Sequence, residues 1–590
     1  MGKTLAQGNL PCLSTPPSAM RLPTPALATA AFVAALAAAP AAAQAGGPDP
    51  AGDRLVPAPS APAAARGGCA LGEAEATLDA NAVRATLYNT GGLFWRGAAP
   101  VYEVPAGSGR HPVFAAGLWV GGTVAGEVRF AGATYRNWEF WPGPIGPDGA
   151  TTPERCAAFD RIWVVSQADV DAYGAGQPPA ADLAGWPVAQ GAPFYVDADG
   201  DGRRGIAEPV VELDLGDDGY SAELGEGRQI DLAAGERPLV HGSQTAWWVV
   251  NDVGGAHAWS GSAPLGVEVR VQAVAVADPE RPALHRATVY RYAITNRSGA
   301  SIDGLRSSFF ADVHVGHGDD DYFASDTTRS MMIGYNGAES DSEYGATPPA
   351  VGVDVLSGAV STYFDNEPIG PATVGDGAYA WMNGRSASDG SPIRRGGSGE
   401  ETLWFWDGDP VARAFWTMEN HDGAGWSLQP RDVSGIVTAA HGALGDGETA
   451  TFDLAILYAR GDSRLHSVTR LREASDEVQA LYDAGALLGT ASLPPVAGEA
   501  APDGAELSLA VHPNPASGRA EVPFALAASA DVRLSVVDAL GREVAVLADG
   551  PHAAGDHAAS LDAGSLAAGV YVVRLRGDGA HAVRRLTVVR

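Results

Sequence analysis

A chain of 590 residues with a formal net charge of −31 is too long for one ordinary core. It is also too acidic to bind nucleic acid through clustered basic side chains. Its hydrophobic content of 46% excludes wholesale disorder, and 75 glycines and 41 prolines favour many turns between short strands. The expected fold class is therefore mainly β, with a multidomain β-sandwich body.

Residues 1–45 have the pattern of a secretory signal peptide, and translation is expected to start at Met20. Arg21 precedes an apolar run over 26–39, and small residues up to Ala45 form a cleavage site. Residues 46–77, which begin with an Ala/Pro/Gly-rich stretch, are predicted to be a flexible linker. No later stretch is apolar for long enough to form a membrane helix. The sequence thus predicts an exported chain with no transmembrane segment after signal cleavage.

The body divides by pattern into a β-rich N-terminal region, 78–190, and a β-rich central domain with acidic loops, 191–490. Alternating or β-branched stretches predict strands at 247–252, 265–276, 287–296 and 451–459. In the second of these, Val269 and the valines two residues to either side share one face, and Glu268 and Arg270 share the other.

One helix is predicted near 463–485, where leucine and valine recur at helical spacing. Ser463 is a candidate N-cap, with Ser467 as the alternative, and Gly485 can end the helix. The mature chain keeps two cysteines, Cys69 and Cys156, and the sequence leaves open whether they pair.

A Pro-rich linker over 491–506 precedes a tail of different character, 507–590. Eight arginines balance eight acidic residues in this tail, so the negative charge lies in the body. Short strands broken by turn residues predict a small β-sandwich of about seven strands, similar to an Ig-like module.

The tail resembles the type A C-terminal sorting domain of proteins exported by the type IX secretion system of Bacteroidota-like bacteria. The motifs that carry the resemblance are HPNP at 512–515, VRLSVVD at 532–538 followed by LGREV at 540–544, LAAGVYVVRL at 566–575 and a basic last strand at 584–590. The family usually has an aromatic residue where His512 stands. The resemblance implies handling by the type IX machinery through 507–590, export across the outer membrane and a secreted or cell-surface location.

The body is also similar to large secreted proteins that carry such a tail, and this resemblance brings no activity with it. The segments concerned are 195–202, 242–252, 319–328, 347–352 and 451–485.

An acidic loop in the body matches the calcium-loop pattern D-x-[DN]-x-[DN]-G-x5-E in full. Asp197, Asp199 and Asp201 stand at alternate positions, Arg203 can offer its carbonyl, and Glu208 can supply two oxygens. A proline directly after Glu208 opposes a helix there, so we expect a Ca²⁺ loop between β elements rather than a helix-loop-helix sensor. The alternative is a solvated Asp/Gly turn without an ion.

A second acidic cluster lies within 311–326. Its predicted Ca²⁺ ligands are Asp312, Asp319, Asp320, Asp321 and Asp326. His314 and His317 allow a zinc alternative, although the surrounding oxygen ligands favour Ca²⁺ over Zn²⁺. A solvated loop is the remaining alternative.

No catalytic set emerges from the sequence. His441 and Ser463 lie too close together for a chymotrypsin-like peptidase, and Trp404 and Trp406 fit core packing better than a sugar platform. The expected function is that of a secreted or cell-surface, calcium-stabilised structural or adhesion protein, whose partners could include extracellular glycans or surface components. The alternative is a secreted hydrolase or carbohydrate-binding protein acting on polysaccharide.

Overall fold

The computed structural model describes two stretches of the chain. The first is 68–489, apart from 96, 98–99, 206–207, 365–373 and 397–398; the second is 507–588, apart from 510–515, 517, 527–528, 538–542, 568 and 578–579. The predicted signal peptide, most of the 46–77 linker, the linker at 491–506 and the HPNP motif lie outside these residues.

The described body consists of short and medium strands with six helices. The strands up to residue 251 are β1 (Glu75–Leu78), β2 (Arg84–Tyr88), β3 (Gly92–Leu93), β4 (Tyr102–Glu103), β5 (Ala115–Val124), β6 (Glu127–Gly132), β7 (Trp141–Pro142), β8 (Trp163–Ser166), β9 (Phe194–Val196), β10 (Glu236–Pro238) and β11 (Gln244–Asn251). Those that follow are β12 (Val267–Ala275), β13 (Ala287–Asn296), β14 (Ile302–Val313), β15 (Asp321–Asp326), β16 (Met331–Asn336), β17 (Ser340–Asp341), β18 (Gly345–Ala346), β19 (Ala350–Asp354), β20 (Ser361–Phe364), β21 (Ile393–Arg394), β22 (Glu401–Thr402), β23 (Val433–Leu444) and β24 (Thr449–Ala459). The helices are α1 (Pro153–Ala158), α2 (Gln167–Gly174), α3 (Ala181–Ala184), α4 (Pro282–His285), α5 (Val374–Met382) and α6 (Arg464–Asp483).

Two antiparallel sheets of nine strands each organise the described body. The first sheet has the order β1-β2-β3-β5-β14-β23-β20, with β4 beside β2 and β6 beside β5. The second sheet has the order β15-β16-β19-β24-β13-β12-β11-β7, with β8 beside β11. Strands of the predicted N-terminal region and of the predicted central domain are therefore partners in the same sheets.

The two sheets pack on each other through aromatic side chains. Phe309 of β14 lies against Tyr290 and Tyr292 of β13, with ring centroids 6.3 and 6.4 Å apart. Side chains from both sheets belong to one buried cluster, as expected for a β-sandwich. The predicted mainly β class is confirmed.

Part of the second sheet is buried on its outer face as well. Trp248 of β11 packs into the main core, whereas its neighbour Trp247 packs into a separate cluster with Trp163 and Trp186. This second cluster belongs to the layer formed by residues 153–240. The layer also carries the acidic loop at 197–208.

The layer also covers the polar face predicted for β12. Glu268 and Arg270 are buried there, and Arg270 lies 3.1 Å from Glu268 and 2.7 Å from Asp214. The second carboxylate oxygen of Glu268 accepts a hydrogen bond from the backbone N–H of Ile145 at 2.9 Å. Buried charges persist only when they are paired in this way.

The predicted helix near 463–485 is confirmed as α6. The Ser463 hydroxyl accepts a hydrogen bond from the His466 N–H at 3.1 Å, so Ser463 is the N-cap, and Gly485 beyond the end has a φ of 74°. The buried face includes Val468, Leu471, Val478 and Leu481. The helix packs on β16, β19 and β24 of the second sheet.

Cys69 and Cys156 form a disulfide, with a Cα–Cα distance of 5.9 Å. It joins the start of the described chain to α1 across a sequence separation of 87 residues. An oxidising exterior preserves such a bond.

Replacing both cysteines by serine is expected to lower the free energy of unfolding by about 2–4 kcal/mol, because the cross-link restricts the unfolded chain. Denaturant unfolding measures the change. A reductant should destabilise the wild type and leave the double variant unaffected; equal unfolding midpoints for wild type and variant would contradict this role.

The described tail contains seven strands in two sheets. The strands are β25 (Leu507–Leu509), β26 (Arg519–Leu526), β27 (Ala530–Val537), β28 (Glu543–His552), β29 (Gly555–Asp562), β30 (Gly569–Gly577) and β31 (Ala580–Val588). One sheet has the order β25-β26-β29 and the other β28-β27-β30-β31. Buried side chains of both sheets, such as Val522, Leu534 and Leu575, form a core of their own.

No helix in the described part of the chain is both long enough and apolar enough to cross a membrane.

Candidate metal sites

The predicted calcium loop brings three of its acids together. It follows β9, which pairs with β10, and carboxylate oxygens of Asp197, Asp199 and Glu208 lie within 4.8 Å of one another. Asp197 and Glu208 are buried and Asp199 is exposed. Gly200 and Gly202 have φ values of 77° and 72°, the left-handed conformation that lets the chain turn between the acids.

Backbone N–H groups of the loop point at two of these carboxylates. Asp197 accepts hydrogen bonds from Gly200 at 2.8 Å and Gly202 at 3.2 Å. Glu208 accepts from Ala198 and Gly205, both at 2.6 Å. These bonds close the loop around its own acids, so that the first and last acids of the motif meet.

Asp201 and Arg203 lie outside the converging group. Asp201 accepts a hydrogen bond from the Arg203 N–H at 2.7 Å. The Arg203 guanidinium pairs with Asp171 of α2, with one N–O distance of 3.0 Å. An open cavity of about 340 Å³ adjoins the loop and is lined by residues that include Asp197, Asp201, Arg203, Asp171 and Arg237.

The acids of the loop act on a neighbouring tyrosine and arginine. Burial together with the charges of Asp197 and Glu208 raises the pKa of Tyr195 well above its ordinary value. The Arg237 guanidinium lies 3.7 Å from the Asp197 carboxylate and compensates part of this charge.

The second predicted cluster does not converge as a set of five acids. Among the described residues, Asp312 joins a different group, and Asp326 is engaged by arginines. The Asp326 carboxylate lies 2.8 Å from Arg472 and 3.2 Å from Arg329. The contact with Arg472 attaches β15 to α6.

The other three acids of that cluster face different partners. Asp320 accepts a hydrogen bond from the Asn336 side chain at 3.0 Å, and the backbone N–H of Asp319 faces the His317 ring at 3.4 Å. Asp321 is fully buried at the start of β15, and burial raises its pKa well above the ordinary value. His317 is in neither group of converging ligands found in the described residues.

Asp312 instead meets His314 and Asp432. The His314 Nε2 lies 3.0 Å from an Asp312 oxygen and 2.9 Å from an Asp432 oxygen. Burial lowers the pKa of His314, but the two carboxylates outweigh it and hold the pKa well above the ordinary value. Sequence reasoning missed Asp432, because it lies 118 residues beyond His314 and is brought near by the pairing of β14 with β23.

The histidine and serine weighed for catalysis have structural partners. His441 contacts the Ser307 hydroxyl at 2.7 Å, and burial lowers the pKa of His441 to about 4. Ser307 is fully buried, and Ser463 caps α6.

The tryptophan-rich stretch turns mainly inward. Trp406 and Trp416 are buried and lie 5.0 Å apart, whereas Phe415 and Trp426 are exposed. The core-packing interpretation holds for Trp406, while Trp404 is half-buried.

Comparison with known proteins identifies the tail. Residues 510–589 match the family model described as a secretion system C-terminal sorting domain. No match to a curated protein was found. Similar solved structures include a polysaccharide lyase and the dimeric latent PorU from Porphyromonas gingivalis, each at 9% identity over 54% of this chain. The TM-scores are 0.19 and 0.13, the matches span 34% and 26% of those chains, and neither bears on function.

The chain thus carries a type IX sorting domain at its C-terminus, as the resemblance of its motifs implied. This domain marks the protein for handling by the type IX secretion machinery and for secretion and attachment at the cell surface.

Proposed function

We propose that this protein is a calcium-stabilised structural or adhesion protein of the cell surface. Its export begins with the predicted signal peptide at 1–45 and is completed through the tail at 507–590. The body is the functional part, and Ca²⁺ in the loop at 197–208 fixes the layer that covers the second sheet.

The observation that carries this proposal is the convergence of Asp197, Asp199 and Glu208. Two of the three carboxylates are buried, and like charges held this close in a buried setting repel one another. Arg237 compensates only part of the charge. A divalent cation among the three carboxylates relieves the repulsion that remains.

Calcium suits this loop better than a softer metal because every candidate ligand is an oxygen. Ca²⁺ takes six to eight oxygens, so the three carboxylates need further ligands. The ion is proposed to draw in the Asp201 carboxylate and the Arg203 carbonyl, both on the same loop, and water from the adjoining cavity completes the shell.

The role of the body is proposed to be structural rather than catalytic. Of the two residues weighed for catalysis, Ser463 caps α6 and His441 hydrogen-bonds the buried Ser307 hydroxyl. An extensive two-sheet sandwich with a negative surface suits a secreted scaffold that stays soluble in a divalent-rich exterior.

Calorimetric melting of the full chain with and without a chelator tests the proposal. Free Ca²⁺ at twenty times its dissociation constant should stabilise the protein by about 2 kcal/mol, and the chelator should remove that increment. Asp199→Ala should abolish the response, because it removes one of the three converging ligands. Asp199 is exposed, so its replacement leaves the core intact.

Asp218→Ala is the matched control, since Asp218 is an exposed acid in the same layer and outside both converging groups. This variant should keep the full calcium response. A wild-type melting temperature that ignores the chelator would rule out the calcium part of the proposal, and turnover of a polysaccharide in a glycan screen would rule out the structural part.

A further inference from the structure

A second group of residues that could bind a metal lies at one end of paired strands in the first sheet, more than 100 residues after the calcium loop in the sequence. Asp312 is the penultimate residue of β14, His314 directly follows that strand, and Asp432 directly precedes β23. Because β14 and β23 are paired, with Asp312 opposite Ser434, these three side chains reach the same end of the sheet.

The spacing within this group fits ligands around one ion as well as a histidine paired with two carboxylates. A single nitrogen, His314 Nε2, lies 3.0 Å from Asp312 and 2.9 Å from Asp432, yet it can carry only one hydrogen. Octahedral ligands about 2.1 Å from a small divalent cation lie about 3.0 Å apart. The two measured distances match that edge.

An independent observation comes from Asp321. Its Oδ2 accepts a hydrogen bond from the Val315 N–H at 2.8 Å, next to His314, and its backbone pairs with that of Arg431, next to Asp432. The carboxylate therefore lies between the segments that carry the two ligands. Its Oδ1 is fully buried and has no hydrogen-bond partner among the described residues.

We propose that Asp312, His314 and Asp432 bind a divalent transition cation of the Mn²⁺ or Zn²⁺ type, beside the buried carboxylate of Asp321. The imidazole distinguishes this site from the all-oxygen loop at 197–208, because nitrogen ligands favour transition metals over Ca²⁺.

The surroundings suit a bound ion that keeps contact with water. The side chains of His314 and Asp432 are 23% and 28% exposed, so solvent ligands can complete the shell on that side. On the other side, the ring of Phe114 lies 4.9 Å from the imidazole, and Trp95 stacks on Phe114 at 4.5 Å. These aromatic rings hold the imidazole in place.

Titration of the metal-free full chain with MnCl₂, ZnCl₂ and CaCl₂, followed by calorimetry, tests the site. Asp432→Asn is expected to weaken Mn²⁺ or Zn²⁺ binding at least about tenfold, the loss typical when support of a metal is removed. Asp218→Ala, at an exposed acid outside both converging groups, is the matched control and should leave this binding unchanged. Circular dichroism confirms that each variant is folded.

A second measurement uses only the wild type, so its result does not depend on whether a variant folds. In Mn²⁺-loaded wild-type protein, pulsed electron paramagnetic resonance should detect coupling to one imidazole nitrogen. Absence of that coupling, equal Mn²⁺ and Zn²⁺ affinity in wild type and Asp432→Asn, or tighter binding of Ca²⁺ than of either metal at this site would overturn the proposal.

Discussion

Deleting residues 507–590 is expected to stop export and leave the body inside the outer membrane. The reason is that the tail is the part matched by the sorting-domain family, and it has a seven-stranded core of its own that the export machinery can recognise. Immunoblots of medium, surface and periplasmic fractions from a host with a type IX system measure the effect. The truncated chain should be absent from the first two fractions.

Two point variants of the tail test whether export requires the tail to be folded. Leu575 is fully buried in the tail core, so Leu575→Asp should block export, whereas Val546 is 45% exposed and Val546→Asp should not. Grafting 507–590 onto a reporter with a signal peptide should export it. Wild-type levels of the truncated chain in the medium would contradict the assignment.

The largest effect on stability is expected at the buried ion pair where α6 begins. The Arg464 guanidinium contacts the Glu419 carboxylate, and both side chains are nearly inaccessible, at 6% and 5% exposed. Glu419→Leu leaves the buried arginine with Glu339 as its acidic partner, at 3.4 Å and 62% exposed, so its charge is only weakly compensated. Breaking such a pair should lower the free energy of unfolding by about 3–5 kcal/mol.

Denaturant unfolding measures this loss, and the same helix provides the control. Arg470 and Glu473 form an ion pair on its exposed side, where such pairs contribute less than about 1 kcal/mol, so Glu473→Leu should have little effect. The double variant Glu419→Leu with Arg464→Met should recover much of the lost stability, since no charge is then stranded. Equal losses of stability in Glu419→Leu and Glu473→Leu would show that burial of the ion pair is unimportant.

Local signals in the sequence were enough to predict the helix, the strands and the tail. Ser463 and Gly485 bound α6 because capping and left-handed turns depend on neighbouring residues only. The alternation of the valines in β12 is local too, because successive side chains of a strand point to opposite faces. The calcium loop is also local, and there the structure brings Asp197, Asp199 and Glu208 together while leaving Asp201 aside.

Features that depend on distant pairing could not be predicted in this way. Asp432 reaches His314 only through the register of β14 and β23, and Cys69 reaches Cys156 only once the layer over the second sheet has formed. The burial of Glu268 depends on that same layer, which alternation within one strand does not reveal. The five acids of the second predicted cluster do not converge, because Asp312 lies on β14, Asp321 and Asp326 lie at the two ends of β15, and Asp319 and Asp320 lie in the turn between these strands.

Calcium binding to the full chain, measured by competition with a chromophoric chelator, tests the central claim most directly. If the loop at 197–208 holds an ion, the wild type binds one Ca²⁺ more than the Asp199→Ala and Glu208→Gln variants, and Asp218→Ala binds as the wild type does. Identical stoichiometry and affinity in all four proteins would contradict the claim.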